Sequence, residues 1–311
     1  MKDLQSYHVR EQIVKAVRAF FDQRRFCEVI SPVFNDAVPC EPNIFPFSTF
    51  WDTSQGKLKL FLSTSPERHI KKMLSLGVGN CYCIGHSFRN LESSGSLHAP
   101  EFLMLEWYRE NATYKTIMRD LQKLIIHLKH QVDISRKRQP NNILTYQHAK
   151  INLGDNWPVL SLEKLFSQIT KLNYQKLLTG DRLLSDYARS KGYNVNNSTW
   201  QALFDQVFVN EIEPKLPKKP CFLIDFPKRI SPLCKTKIQK SYLSERFEFY
   251  LVGIEIANGN NEETDVQKLD FIKDEEFLTS LKTMRSSGKS YAGVGLGLDR
   301  LVMIFNDQTH I

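Results

Sequence analysis

Apolar residues at Val9, Ile13, Val17, Phe20 and Phe21 recur at helical spacing, so residues 9 to 24 are predicted to form an amphipathic helix. Phe26 to Ile30 reads as a short strand, halted where Ser31 precedes Pro32. A proline-punctuated connection (Pro39 to Pro46) and a strand from Leu58 to Leu62 lead into Ser65-Pro66-Glu67. That triplet opens a helix carrying His69, Lys71 and Lys72: serine caps, proline suits the first turn, and glutamate favours the positive end of the helix. Asp120 to Val132 is helical, Arg136 to Asn142 is a polar break, residues 150 to 215 look mainly helical, and Cys221 to Phe226 is an apolar strand. The chain has no internal repeat and no long low-complexity tract.

Three segments carry chemistry. Ser87 to Tyr108 places two apolar-rich arms around a Ser/Gly loop, the pattern of a long antiparallel hairpin. Alternation along its arms puts a charged set on one face. Arg89 there suits phosphate oxygens and Phe102 offers a stacking surface for a purine, although a half-solvated hairpin would also carry charges on one face. In RFEFYLVGIEIANGNNEETD, the aromatic and β-branched density argues for strands, and a reversal at Val252-Gly253 would set Tyr250 opposite Glu255. Glu248 shares the face of Tyr250, so Glu248 and Glu255 would project together and suit a magnesium ion. Val-Gly is not the favoured hairpin pair, and solvated carboxylates are the competing reading. Finally, YAGVGLGLDRLVMIF alternates Gly293, Gly295 and Gly297 with larger residues, a flat floor for a ligand, before Asp299 caps a helix beginning at Arg300.

Composition narrows the class. A chain of 311 residues with 41% hydrophobic content can bury a substantial core. Six cysteines show no CxxC pair, and Cys81-x-Cys83 within an apolar run reads as buried strand thiols rather than a zinc site. Neither a signal core nor an apolar run of membrane-spanning length is present, so a cytoplasmic protein without membrane association is expected. The net charge of +8 favours a polyanionic or acidic partner. Basic residues thicken between Lys215 and Lys240, where a solvated surface is the better reading and docking of nucleic acid or an acidic protein the other.

Taken in order, these segments resemble a known family. The arginine, a following glutamate, a histidine ahead of Pro-Glu-Phe and the closing MLEWY are similar to motif 2 of class II aminoacyl-tRNA synthetases, with the lysine-specific branch nearest. FFDQRRFCEVISP resembles motif 1, whose helix, strand and proline build the family's homodimer interface, and GLGLDR resembles motif 3. DFPKRISPLCK also resembles the lysyl branch. The resemblance implies an α+β fold with an antiparallel sheet flanked by helices, residues 1–311 forming a single catalytic domain with a mainly helical insertion at 135–220. It implies a ligase in which an amino-acid carboxylate attacks the α-phosphate of ATP, with Mg2+, to give an aminoacyl-adenylate. On this chain the catalytic cations are then Arg89 and Arg300. ATP would contact both of these with Asn90, Glu92, His98, Ala99, Phe102, Glu248, Glu255, Ile256 and Gly297, the metal lying on Glu248 and Glu255. A lysine-type substrate would lie against Ser65, Pro66, Glu67, Glu106, Tyr108, Asn258 and Glu262.

The acceptor follows from a further resemblance. The chain enters the motif 1 helix by about Val9, which leaves no room for the anticodon-binding barrel that precedes it in lysyl-tRNA synthetases. A free-standing core, with LTYQHA at its centre, is similar to the elongation factor P lysine ligase family, which attaches lysine, typically (R)-β-lysine, to that factor. The implied partners are therefore lysine or β-lysine, elongation factor P with tRNA as the alternative, and a second copy of the chain. Aminoacylation of tRNA or a small carrier, and a silent nucleotide-binding paralogue, are the other readings. Several positions depart from the pattern: Leu91 stands where a glutamate is usual, with Glu92 one residue later in a longer loop. Gly95-Ser96-Leu97 lacks an arginine, and Asn260 replaces an aromatic. Gly295 matches the tRNA-charging enzymes, where the ligases usually have alanine.

Overall fold

In the computed structural model, residues 4–38, 44–91, 95–196 and 198–311 are described. The chain divides into two compact units, Met1–Gly154 together with Glu262–Ile311, and Asp155–Asn261.

The first unit begins with helix α1 (Leu4–Asp22), which buries Val9, Ile13, Val17, Phe20 and Phe21 along the stripe that the sequence pattern marks. The strand expected over Phe26 to Ile30 is only β1 (Cys27–Glu28), because Phe26 and Val29 turn into the core while Ile30 is exposed. Strands β2 (Phe34–Asn35), β3 (Ser48–Thr53) and β4 (Gly56–Leu62) form a small sheet in the order β2-β4-β3. Helix α2 (Glu67–Ser75) then leads to β5 (Cys81–Phe88) and β6 (Glu101–Glu110), the two arms of the long hairpin. Their register is antiparallel, with Ser87 opposite Phe102 and Cys81 opposite Tyr108. Helix α3 (Tyr114–Ser135) extends the expected helix at both ends, and β7 (Ile143–Tyr146) and β8 (Ala149–Asn152) make a two-stranded hairpin. Phe21 stacks on the ring of Tyr82 at 4.6 Å, which fastens α1 to β5 through aromatic contact.

The second unit opens on β9 (Val159–Ser161) and carries α4 (Leu162–Thr170), α5 (Tyr174–Thr179), α6 (Arg182–Ser190) and α7 (Trp200–Val207), the helices expected in this region. Short polar side chains start three of them: Ser161, Asn173 and Thr199 accept from the backbone N–H groups of Lys164, Lys176 and Ala202. Their apolar faces meet over Phe166, Phe204 and Leu177, and pack on Cys221, Leu223 and Tyr250 of strands β10 (Cys221–Ile224) and β11 (Arg246–Leu251). Strand β12 (Ile254–Asn261) returns antiparallel to β11, with Tyr250 opposite Glu255 as expected. The turn between them has Val252 at φ 55° and Gly253 at φ 80°, both left-handed, as a tight primed turn requires. Strain at a valine there costs about 1–3 kcal/mol. Burial of its side chain, 6% exposed, offsets a similar amount.

The chain re-enters the first unit with α8 (Glu275–Ser286), β13 (Tyr291–Gly297) and α9 (Leu298–Phe305). There the strands run β1-β5-β6-β13, with β1 parallel to β5 and the remaining pairs antiparallel. The fold is α+β, antiparallel strands flanked by helices. No helix among the described residues is long and apolar enough to cross a membrane.

Candidate active site

Helix α2 is aimed by its entry. The Glu67 N–H donates to Ser65 Oγ at 3.3 Å, and the Ser63 hydroxyl holds the Ser65 carbonyl at 2.7 Å. Gly85 of β5 leaves room for the Pro66 ring, since a Cβ there would sit 3.2 Å from Pro66 Cγ. Glu67 and Lys71 are one helical turn apart and share a face. Lys71 Nζ lies 2.5 Å from Glu67 Oε1 and 2.6 Å from Glu262 Oε2, with the Lys71 and Glu262 side chains each 1% exposed. Burial alone would lower the Lys71 pKa, but Glu262 and Glu67 outweigh it and hold the ammonium well above its ordinary value. Tyr108, buried on β6, is pushed far up by burial and then by the charges of Glu67, Glu106 and Glu262. Five side chains from α2, β6 and the residue after β12 therefore gather in one acidic cluster, all buried except half-buried Glu67.

The glycines of β13 serve this cluster in a way that corrects the floor expected from their alternation. Gly293 pairs with Tyr108 and Gly295 with Glu106 across the sheet. A Cβ on Gly293 would meet Tyr108 Cε1 at 2.2 Å, so the aromatic ring already covers that backbone. On Gly295 a Cβ would stand 3.5 Å from Glu106 Oε1, an ordinary contact. Gly297 precedes α9, which starts at Leu298, so Asp299 is not the cap expected of it. Instead its carboxylate accepts from the Leu103 N–H at 2.6 Å and pairs with Arg10 at 3.1 Å, tying β6 to both terminal helices.

Beyond the end of β5, the Arg89 guanidinium lies 5.3 Å from the centre of the Phe102 ring, and its Nε donates to the Thr64 carbonyl at 3.4 Å. The Asn90 N–H donates to Phe45 O at 2.8 Å. Leu91 takes φ 58° and is 75% exposed, so the residue that departs from the motif is turned outward. Glu92 lies outside the described residues. Arg300 of α9 reaches back across the hairpin, its Nε donating to Leu97 O at 3.2 Å and its Nη2 lying 3.2 Å from His98 Nε2. Ala99 is half-buried in the same segment. The segments resembling motifs 2 and 3 thus meet through a cation and an imidazole.

In the second unit, Glu248 and Asn258 are directly opposed, and a bulge at Ile256 intervenes before the Tyr250–Glu255 pair. The extra residue restores parity, so Glu248, Glu255 and Asn258 share one face. Arg246 donates to Glu248 Oε1 at 2.6 Å and the Tyr250 hydroxyl to Oε2 at 2.7 Å. Even so, burial and then the neighbouring Glu255 push Glu248 up to about 7. Two neighbouring carboxylates, Glu248 buried and Glu255 half-buried, fit a divalent cation, and magnesium commonly takes one or two carboxylates with its other positions on water or phosphate. Among the described residues no group of three or more His, Cys, Asp or Glu gathers for a metal.

Two side chains of these sites carry no motif signal of their own. Arg246 stands two residues before Glu248 on a strand, and Lys71 four after Glu67 on a helix, spacings that put each pair on one face. Part of the basic stretch is engaged within the unit: Arg229 pairs with Asp181, Lys237 with Asp225, and Lys240 with Glu163. Lys228 donates to the Pro232 carbonyl at 3.0 Å. Cys81, Cys83, Cys221 and Cys234 are buried, as the strand reading expects of the first two, whereas Cys27 is exposed.

Residues 2–311 match the family of class II tRNA synthetases (D, K and N). A lysine–tRNA ligase of Carboxydothermus hydrogenoformans is 31% identical over 99% of this chain and 64% of its own length. That of Coxiella burnetii is 30% identical over 98% of this chain and 62% of its own. An elongation factor P–(R)-β-lysine ligase of Buchnera aphidicola is 30% identical over 97% of this chain and 91% of its own length. The chain thus spans less than two thirds of the tRNA ligases that it matches.

Proposed function

The chain belongs to the class II tRNA synthetases (D, K and N), and we propose that it activates a lysine-type amino acid with ATP and transfers it to a lysine of elongation factor P. The observation that carries this reading is the cluster of buried Glu106, Glu262 and Tyr108 with half-buried Glu67, whose carboxylates suit ammonium groups. In the reaction, Ser65 and Pro66 aim Glu67, and the cluster holds the amines of the substrate so that its carboxylate is presented for in-line attack. Arg89 neutralises charge at the α-phosphate, Arg300 with His98 steadies the remaining phosphates, and Phe102 carries the adenine beside Asn90 and Ala99. Glu248 and Glu255, with Asn258 on the same face, would hold a magnesium ion that supplies Lewis-acid neutralisation of phosphate charge.

Elongation factor P as acceptor is supported by the Buchnera ligase, matched over 91% of its length. Charging of tRNA is the second reading, supported by Gly295 and by the equally similar tRNA ligases. Exposed Ile30, Val33, Phe34, Phe50 and Trp51 around β1 to β3 support a homodimer through the motif 1 segment, which light scattering of the purified protein would test. The deciding experiment is ATP–pyrophosphate exchange over α-lysine, both β-lysine enantiomers and ornithine, followed by label transfer to elongation factor P or tRNA. Absence of exchange with all of them would leave a silent nucleotide-binding paralogue.

A further inference from the structure

The amine cluster contains a cation of its own. Lys71 Nζ is shared between Glu67 and Glu262, and the ring of Phe277 on α8 lies 5.3 Å from it. A buried ammonium is tolerated only when paired, and a pair of buried glutamates is likewise tolerated only with a counter-charge. Lys71 is thus a cation set between Glu67 and Glu262, which would otherwise repel each other beside Tyr108. An α- or β-lysine brings two ammonium groups. A monoamine of the same length brings one and cannot use a glutamate held in place for the second.

We propose that Lys71 is a positioning and specificity residue of the amine site. Its fixed ammonium holds Glu67 and Glu262 where their carboxylates can receive the amines of the substrate. This rests on the amino-acid-activating reading above. Glu67, Glu106 and Glu262 touch the substrate there, whereas Lys71 acts through Glu67 and Glu262.

Lys71→Met keeps the apolar stem and removes the charge. In lysine-dependent ATP–pyrophosphate exchange, KM for lysine should rise roughly tenfold or more, the scale of losing one partner of a buried charge pair. KM for ATP should stay unchanged, and the preference for lysine over norleucine should shrink by a similar factor. A fall in kcat with both KM values and the preference unaltered would overturn the proposal. A second readout needs no activity. Lys71→Ala deletes a three-carbon ammonium arm, so propylammonium should raise the melting temperature of that variant by several degrees, or restore its soluble yield on refolding. Equal sodium chloride or 1-propanol should do neither. No ammonium-specific effect overturns the proposal, even where the wild-type enzyme is active. Wild-type protein that lacks exchange with every lysine isomer refutes the activation reading, while the propylammonium test still decides the role of Lys71.

Discussion

Replacing Gly293 by alanine isolates the contact on which the proposed amine pocket is built. The added methyl would lie 2.2, 2.4 and 2.6 Å from Cε1, Cδ1 and Cζ of Tyr108. Carbon atoms in contact settle at about 3.5–4.0 Å, so the ring must retreat by more than an ångström. It has nowhere to go: Tyr108 is 4% exposed, and its backbone is fixed opposite Gly293 by the β6–β13 ladder. Overpacking of this kind costs about 1–3 kcal/mol, and a flat rigid ring puts the cost at the upper end. Alanine regains about 0.5–1 kcal/mol of the backbone entropy that glycine loses in a strand, so the net loss is about 2 kcal/mol. Gly295→Ala is the matched control on the same face of the same strand. Its methyl meets nothing closer than 3.5 Å, so that variant should be as stable as wild type or slightly more so. Urea denaturation followed by tryptophan fluorescence measures both. Because the displaced ring belongs to the proposed amine cluster, Gly293→Ala should also raise KM for the amino acid and leave that for ATP alone. Equal stability of the two variants with an unchanged amino-acid KM would refute this reasoning.

Arg246→Met strands Glu248 beside Glu255 in a buried place, and removing one partner of such a pair costs about 3–5 kcal/mol, measurable by urea denaturation. His69 is held below its ordinary pKa by burial, then by Lys72, with Arg68 adding to the effect and Glu276 opposing it. A folded pKa below the unfolded one means that the contribution of the neutral ring is complete above about pH 6.5 and is lost as pH falls below it. His69→Gln should therefore lose less stability than wild type between pH 7.5 and 5.5, and identical losses would refute the assignment. Burial pushes the Cys83 and Cys221 thiols up to about 11. Thiol labelling of native protein at pH 8 with peptide mapping should modify Cys27 and spare both.

The sequence pattern reaches the sites unevenly, for physical reasons that particular residues expose. Alternation is a local rule, and where a tight turn fixes the partner it carries across strands: Tyr250 does face Glu255. It fails at one inserted residue, because Asn258 is three positions from Glu255 and strict alternation would separate them. Only the bulge at Ile256 returns Asn258 to the carboxylate face, and nothing in the residue types around it announces a bulge. The glycines of β13 mislead in the opposite sense. Their alternation identifies a face with no side chains, but what occupies that face is set by the neighbouring strand, and Tyr108 is supplied from a segment almost two hundred residues earlier. Asp299 shows the same dependence on a partner. Its place before an apolar run suits a helix cap, yet the Leu103 N–H at the edge of β6 and the Arg10 guanidinium claim its oxygens. A glycine row or an acid at a helix start is therefore a statement about room and charge, and the register of the adjacent strand decides whether a ligand or the protein itself fills it.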